Sequence, residues 1–182
     1  MATMNASDVI ELIDWLEQHG IEVWLNGGWG VDALLGHQTR PHADLDITIS
    51  AKDRETYTTA MQALGFSTNR IDNDFNWVLV DARGRLVDVH LVDFSETVVN
   101  DVGKNIYGPA GLAFEVGSLE GRGTIAGKAV KCETAEFQIE GHTTYTPDAT
   151  DYQDVLALCQ AFGLEMPGLF EDLGFHVPET TP

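Results

Sequence analysis

Apolar residues recur at helical spacing through residues 7–19, where Val9, Ile10, Leu12, Ile13 and Leu16 share one face and Gly20 supplies a stop. The short apolar run 21–25 (IEVWL) predicts a strand leading directly into Gly27 and Gly28. A short helix is expected over 29–35, ended by Gly36, followed by the polar loop GHQTRPHA. The next segment, 44–50 (DLDITIS), alternates strictly: Leu45, Ile47 and Ile49 point one way, and Asp44, Asp46 and Thr48 the other. A second helix is predicted over 52–64 with Gly65 as its stop. Two apolar segments, 75–81 and 85–94, pair as strands around Ala-Arg-Gly, with Gly84 supplying positive φ at the turn.

Periodicity weakens in the Gly-rich stretch 95–127, which is read as loops and short strands, with a further hairpin around Gly127. A short helix is expected over 134–140. Pro147 and Asp148 introduce a longer helix, ATDYQDVLALCQAF, in which Tyr152, Val155, Leu156 and Cys159 share a face. Asp148 and Asp151 have capping-box spacing, with Asp in place of the usual Glu. The tail after Gly163, with Pro167, Pro178 and Pro182, reads as irregular and frayed at its end.

Composition narrows the choice of partner. The 182 residues are 43% hydrophobic and 21% charged, enough for one compact domain with a real core. Ten Lys+Arg against 29 Asp+Glu leave a formal charge of -19, which repels nucleic-acid phosphates and tolerates or attracts a cationic small molecule. The same acidity also serves plain solubility. Cys132 and Cys159 are far apart, form no CxxC pair and read as reduced, structural thiols. No stretch approaches the ~18 apolar residues of a membrane span, and residues 1–20 lack a basic, then apolar, leader. The expectation is a cytoplasmic protein.

Three carboxylates carry the candidate chemistry. Asp44 and Asp46 leave one face of a strand with Cα atoms roughly 6.5–7 Å apart, a spacing that lets both reach one hard cation. A solvated acidic face would have the same pattern. Asp88 stands in the middle of the apolar strand LVDVHLV, where a carboxylate is costly unless paired or metal-bound, and only ten Lys+Arg are available as partners. Gly27 and Gly28, between strand and helix, allow close backbone approach to a phosphate at a helix N-terminus, though most such turns are only turns. They match neither GxGxxG nor GxxxxGK[ST]. Arg40 and His42 lie in the loop delivering the chain to Asp44, where Arg40 either steers phosphate oxygens or is simply solvated.

The run GGWGVDALLGHQTRPHADLDI, followed by the later acidic strand, resembles the signature of the DNA polymerase β-like nucleotidyltransferase superfamily. Within it, WLNGGWGVDALLGHQTRPHADLDITI together with LVDVHLVDF is most similar to the antibiotic nucleotidyltransferases: the lincosamide group first, then the aminoglycoside 2″-nucleotidyltransferases. The match is strong over about residues 20–94 and thin beyond. The resemblance implies an α+β nucleotidyltransferase fold, a short mixed twisted sheet flanked by helices. It forms one domain, 1–182, with a nucleotide and metal core over 1–94 and an acceptor-side extension over 95–182.

The resemblance also implies transfer of AMP from ATP, with Mg²⁺ as cofactor, to a hydroxyl of a small molecule, preferably a lincosamide and otherwise an aminoglycoside. Asp44, Asp46 and Asp88 would reach metal, with Asp88 as base; Gly27, Gly28, Arg40 and His42 would hold the nucleotide. His90, on the cleft face beside Asp88, and Trp29, read as core or cleft wall, would face the acceptor. No role follows for His142 or Tyr145 in GHTTY. Some relatives build the acceptor site at a dimer interface, so a homodimer stays open. A tRNA-directed enzyme conflicts with the charge and the lack of a basic domain. A minimal toxin–antitoxin nucleotidyltransferase usually reads GS rather than GGWG. An inactive nucleotide-binding regulator would usually have lost a carboxylate.

Overall fold

A computed structural model describes residues 3–175. The chain opens with helix α1 (Ala6–Gln18), capped reciprocally by Asn5 and Asp8. Strand β1 (Val23–Leu25) and helix α2 (Gly27–Leu35) follow, and then strand β2 (Asp44–Ser50). A 3-10 turn over Ala51–Asp53 leads into helix α3 (Arg54–Ala63). Next come strands β3 (Ser67–Asn73), β4 (Asn76–Val80) and β5 (Leu86–Val92). Short strands β6 (Thr97–Val99) and β7 (Asn105–Tyr107) pair with each other. Strands β8 (Gly121–Ile125) and β9 (Lys128–Cys132), then helices α4 (Ala135–Gly141), α5 (Ala149–Phe162) and α6 (Gly168–Asp172), complete the described chain.

Seven strands form one mixed sheet in the order β3-β4-β5-β2-β1-β9-β8. The β2–β5 and β1–β9 pairs are parallel, and the other neighbours antiparallel. Alternation in β2 and β5 divides the two faces. Leu45, Ile47, Ile49, Val87, Val89 and Leu91 join the apolar face of α1 and Tyr57, Ala60 and Met61 of α3 in the main core. On the other side α2 packs with α4 and α5 through Val31, Ile139, Val155 and Leu158, leaving part of the sheet open to a cleft. This is the expected nucleotidyltransferase-like α+β arrangement, an open mixed sheet flanked by helices.

Several expectations change in detail. Gly27 and Gly28 are the first turn of α2 rather than a turn before it. Strand β3 was not expected; every residue in it is exposed and its pairing with β4 is bulged, so it has no alternation to read. The hairpin at Gly127 forms with Ala126 and Gly127 both at positive φ, 46° and 86°. The Asp148–Asp151 capping box is present in full. On α5 the buried positions are Tyr152, Asp154, Val155, Leu158 and Cys159, so Leu156 lies at the margin of the expected face. The tail contains α6, whose Phe170 is buried against Tyr152 and Phe175. Pro178, Pro182 and the expected fraying fall outside the described residues. No described helix is long and apolar enough to cross a membrane.

Candidate active site

Parallel pairing sets Asp46 opposite Asp88 and Thr48 opposite His90, so Asp44, Asp46, Asp88 and His90 all rise from one face of adjacent strands. Gly27, at φ 52°, stands over them: a Cβ there would run into the Asp46 carboxylate. A Cβ on Gly28 would meet His42 Nδ1 and Arg40 Nη2 (2.7 Å). Glycine at both positions thus brings the α2 N-terminus against the acidic strand on one side and two basic side chains on the other. The cleft between them measures ≈ 630 Å³ and is walled on its far side by α4, the start of α5 and the connection between them, including Gln138, His142, Tyr145 and Asp151.

Asn26 is the N-cap of α2 but its side chain does not cap. It exchanges hydrogen bonds with Thr48 Oγ1 (2.7 and 3.1 Å) and meets His90 Nδ1 at 2.9 Å. Assigning the Asn26 amide as donor makes Nδ1 the acceptor and leaves the Nε2–H of a neutral His90 pointing at Asp88 Oδ1, 3.5 Å away. Burial lowers the His90 pKa, against the opposing pull of Asp88. The uncapped first turn of α2 keeps its N–H groups facing the cleft, where the helix dipole favours an anion.

Asp46 receives no hydrogen bond from any described side chain, and burial, then Asp44 and Asp88, push its pKa up to about 8. A carboxylate left in that state suits a divalent cation, so the residues present fit the implied Mg²⁺. Asp88 is engaged differently. It accepts from Asn76 Nδ2, lies 3.7 Å from Arg70 Nη2, and is raised by burial against the lowering pull of His90, Asn76 and Arg70. Among the described residues no three Asp, Glu, His or Cys side chains close into a ready metal cage. The carboxylates therefore share a face without converging on one point, because Asn76 and Arg70 hold Asp88 toward β4 and β3. Mg²⁺ commonly takes one or two carboxylates and completes its shell with water and phosphate, so Asp44 and Asp46 are a sufficient protein contribution.

Residues 8–158 match the aminoglycoside-2″-adenylyltransferase family. The chain belongs to that family. It is 24% identical over 161 residues to a lincosamide resistance protein of Staphylococcus haemolyticus, covering 84% of this chain and 92% of the relative. It is 25% identical over 149 residues to a 2″-aminoglycoside nucleotidyltransferase of Klebsiella pneumoniae, covering 81% and 78%. The fold is similar to that of the lincosamide adenylyltransferase LnuA with lincomycin bound (TM-score 0.72, 22% identity, 86% of this chain and 98% of that one). It is also similar to ANT(2″)-Ia in complex with adenylyl-2″-tobramycin (TM-score 0.65, 18% identity, 87% and 89%).

The remaining expected site residues of this family member are spread unevenly. Arg40 lines the cleft, but its Nε and Nη2 are held by Asp154 at 3.2 and 2.7 Å, anchoring the loop before β2 to α5. His42 is buried, its Nε2 bonded to Asp32, and reaches the cleft beside Gly28. Trp29 is core and not cleft wall, against the expected acceptor contact: at 1% exposure it packs against His42, ring centroids 4.6 Å apart, and offers the acceptor no surface. Helical phase explains this, since Gly27 and Gly28 occupy the cleft side of the first turn and Trp29 rotates inward.

Four polar residues at the site were not anticipated: Asn26, Asn76, Gln138 and Glu133. Asn26 precedes the glycine pair and reads as an ordinary cap. Gln138 is 2% exposed, and its Nε2 has no hydrogen-bond partner among the described residues. Glu133 follows β9 and is 7% exposed; burial, then Asp46, push its pKa up to about 8. It receives no side-chain hydrogen bond or ion pair among the described residues.

Proposed function

We propose that this chain transfers AMP from ATP to a hydroxyl of a small antibiotic, with Mg²⁺, taking a lincosamide in preference to an aminoglycoside. The observation that carries the reading is the juxtaposition of Asp44, Asp46 and Asp88 on one sheet face with the glycine-opened N-terminus of α2. The N–H groups of the first turn of α2, flanked by Arg40 and His42, orient the triphosphate. Asp44 and Asp46 would hold Mg²⁺, which when bound neutralises charge on the transferred phosphoryl group. Asp88 removes the proton of the acceptor hydroxyl, whose oxygen attacks the α-phosphorus as the bond to pyrophosphate breaks and pyrophosphate leaves. His90, fixed by Asn26, keeps the base oriented and faces the acceptor.

Preference for a lincosamide is supported by the neutral His90 beside the base and by the relatives named above, one of them a lincosamide resistance protein. The family match and the charge of -19 favour the second reading, an aminoglycoside, whose multiple ammonium groups an acidic surface attracts. Incubation with labelled ATP, Mg²⁺ and a panel of both antibiotic classes, read by mass spectrometry, decides between them. A mass gain of one AMP on lincomycin is expected. Gain on tobramycin alone transfers the assignment to aminoglycosides, and gain on neither removes the antibiotic as acceptor.

A further inference from the structure

A second pocket adjoins the cleft. Beyond His90 lies an apolar pocket of ≈ 440 Å³ walled by Leu112, Phe114 and Phe137, with Glu133 in its lining. The Phe114 and Phe137 rings stand 5.5 Å apart at 37°. Glu133 lines this pocket and the main cleft alike, as do Asn26 and His90. Among the described residues no Lys or Arg lines the pocket. The nearby cations are occupied: Lys104 by Glu115 and Glu140, Lys131 by Glu22, and Arg122 by the carbonyls of Leu119 and Gly121.

A carboxylate this buried is costly without a partner, and no described side chain bonds or pairs with it. Sheet topology sets its backbone off from the metal pair, although Asp46 is still near enough to add to the upward push on its pKa. Glu133 follows β9, Asp46 lies on β2, and β1 with Asn26 runs between them. Two strand spacings put the backbones about 9.5 Å apart. A cation arriving from the pocket would complete Glu133, and aromatic walls beside a carboxylate suit an ammonium carrying an apolar substituent.

We propose that Glu133 is a specificity-determining residue. Its carboxylate binds an ammonium group of the acceptor, the acceptor's apolar part lies on Phe114, Phe137 and Leu112, and its hydroxyl is delivered past His90 to Asp88. The inference rests on the adenylyl-transfer reading for the hydroxyl, but the cation subsite itself is testable without turnover.

The test uses benzyltrimethylammonium and its uncharged carbon analogue neopentylbenzene, titrated into the full chain by NMR, with wild type, Glu133→Gln and Glu133→Asp compared. The cation should bind wild type about 30-fold or more tightly than Glu133→Gln, with partial recovery in Glu133→Asp. Neopentylbenzene should bind wild type and Glu133→Gln alike. The affinity for Mg²⁺–ATP should stay within about twofold in Glu133→Gln, and the KM for lincomycin or tobramycin should rise while that for ATP does not. Equal cation affinity in wild type and Glu133→Gln overturns the proposal. So does a loss of Mg²⁺–ATP affinity in Glu133→Gln, which would assign the carboxylate to the nucleotide site. If Glu133 binds the cation and no acceptor gains AMP, the subsite stands and the transfer reading falls.

Discussion

Asp88 is placed to lose its charge and regain it. Burial raises its pKa, while His90, Asn76 and Arg70 favour the ionised form, leaving a carboxyl able to take a proton from a hydroxyl. Asp88→Asn keeps the shape and a hydrogen-bonding oxygen but cannot accept that proton. Steady-state kinetics should show kcat reduced by at least ~10²-fold, the low end for general base catalysis, with Mg²⁺–ATP affinity by calorimetry near wild type. Near-normal turnover would remove Asp88 as the base. Gly27→Ala makes a different demand: φ of 52° is strained for a side chain by roughly 1–2 kcal/mol, and the new Cβ would push on Asp46. A lower melting temperature and a raised KM for ATP are expected together; a wild-type KM would mean that the approach of α2 to Asp46 does not set nucleotide binding. At this scale the shared face of Asp44, Asp46, Asp88 and His90 was legible, because strand alternation is local. Glu133 was not, since its burial depends on β9 docking beside β1, more than a hundred residues away in sequence.

Elements show the same division between local and distant causes. α1, β2, β4, β5 and α5 follow from periodicity and caps written in their own residues. The start of α2 does not, because glycine is a poor helix former and only the surrounding site explains two at its first turn. The β4–β5 hairpin is fastened by one acidic residue. Asp81 accepts from the backbone N–H groups of Arg83 and Arg85 (both 2.9 Å) and from Arg85 Nε (2.7 Å), while Arg85 also reaches Asp8 and Glu11 of α1. Burial pushes the Asp81 pKa up, but these hydrogen bonds outweigh it and hold the group below its ordinary 3.8. The native state therefore binds fewer protons than the unfolded chain near that value. The stability Asp81 contributes is present above its unfolded pKa and is lost as pH falls through the folded one. Urea unfolding between about pH 5 and 3 should show stability declining with pH, with a shallower decline in Asp81→Asn. An identical decline in the variant would show that Asp81 is not the linked group.

The whole molecule is organised by charge as much as by its sheet. Among its few cations, Arg40, Arg70, Arg83, Arg85, Lys104, Lys128 and Lys131 are already committed to ion pairs. Most of the 29 acidic residues are thus left to repel one another at a net charge of -19. That imbalance was plain from composition, but the strand order was not: β9 inserts beside β1 on the side away from β2, a long-range choice no local pattern encodes. Two electrostatic effects compete when monovalent salt is added. Screening weakens the exposed ion pairs, each worth little, and weakens the self-repulsion of the surplus carboxylates, which acts over the whole surface. The screening length falls from about 30 Å at 0.01 M to about 8 Å at 0.15 M, so repulsion across the molecule is removed while short buried pairs such as Arg85–Asp81 persist. Repulsion should win. With divalent ions chelated, raising KCl over that range should lift the melting temperature by about 3 °C or more, equivalent to roughly 1 kcal/mol for a chain of this size. A fall in melting temperature would mean that the ion pairs, not the surplus negative charge, dominate the electrostatics of the fold.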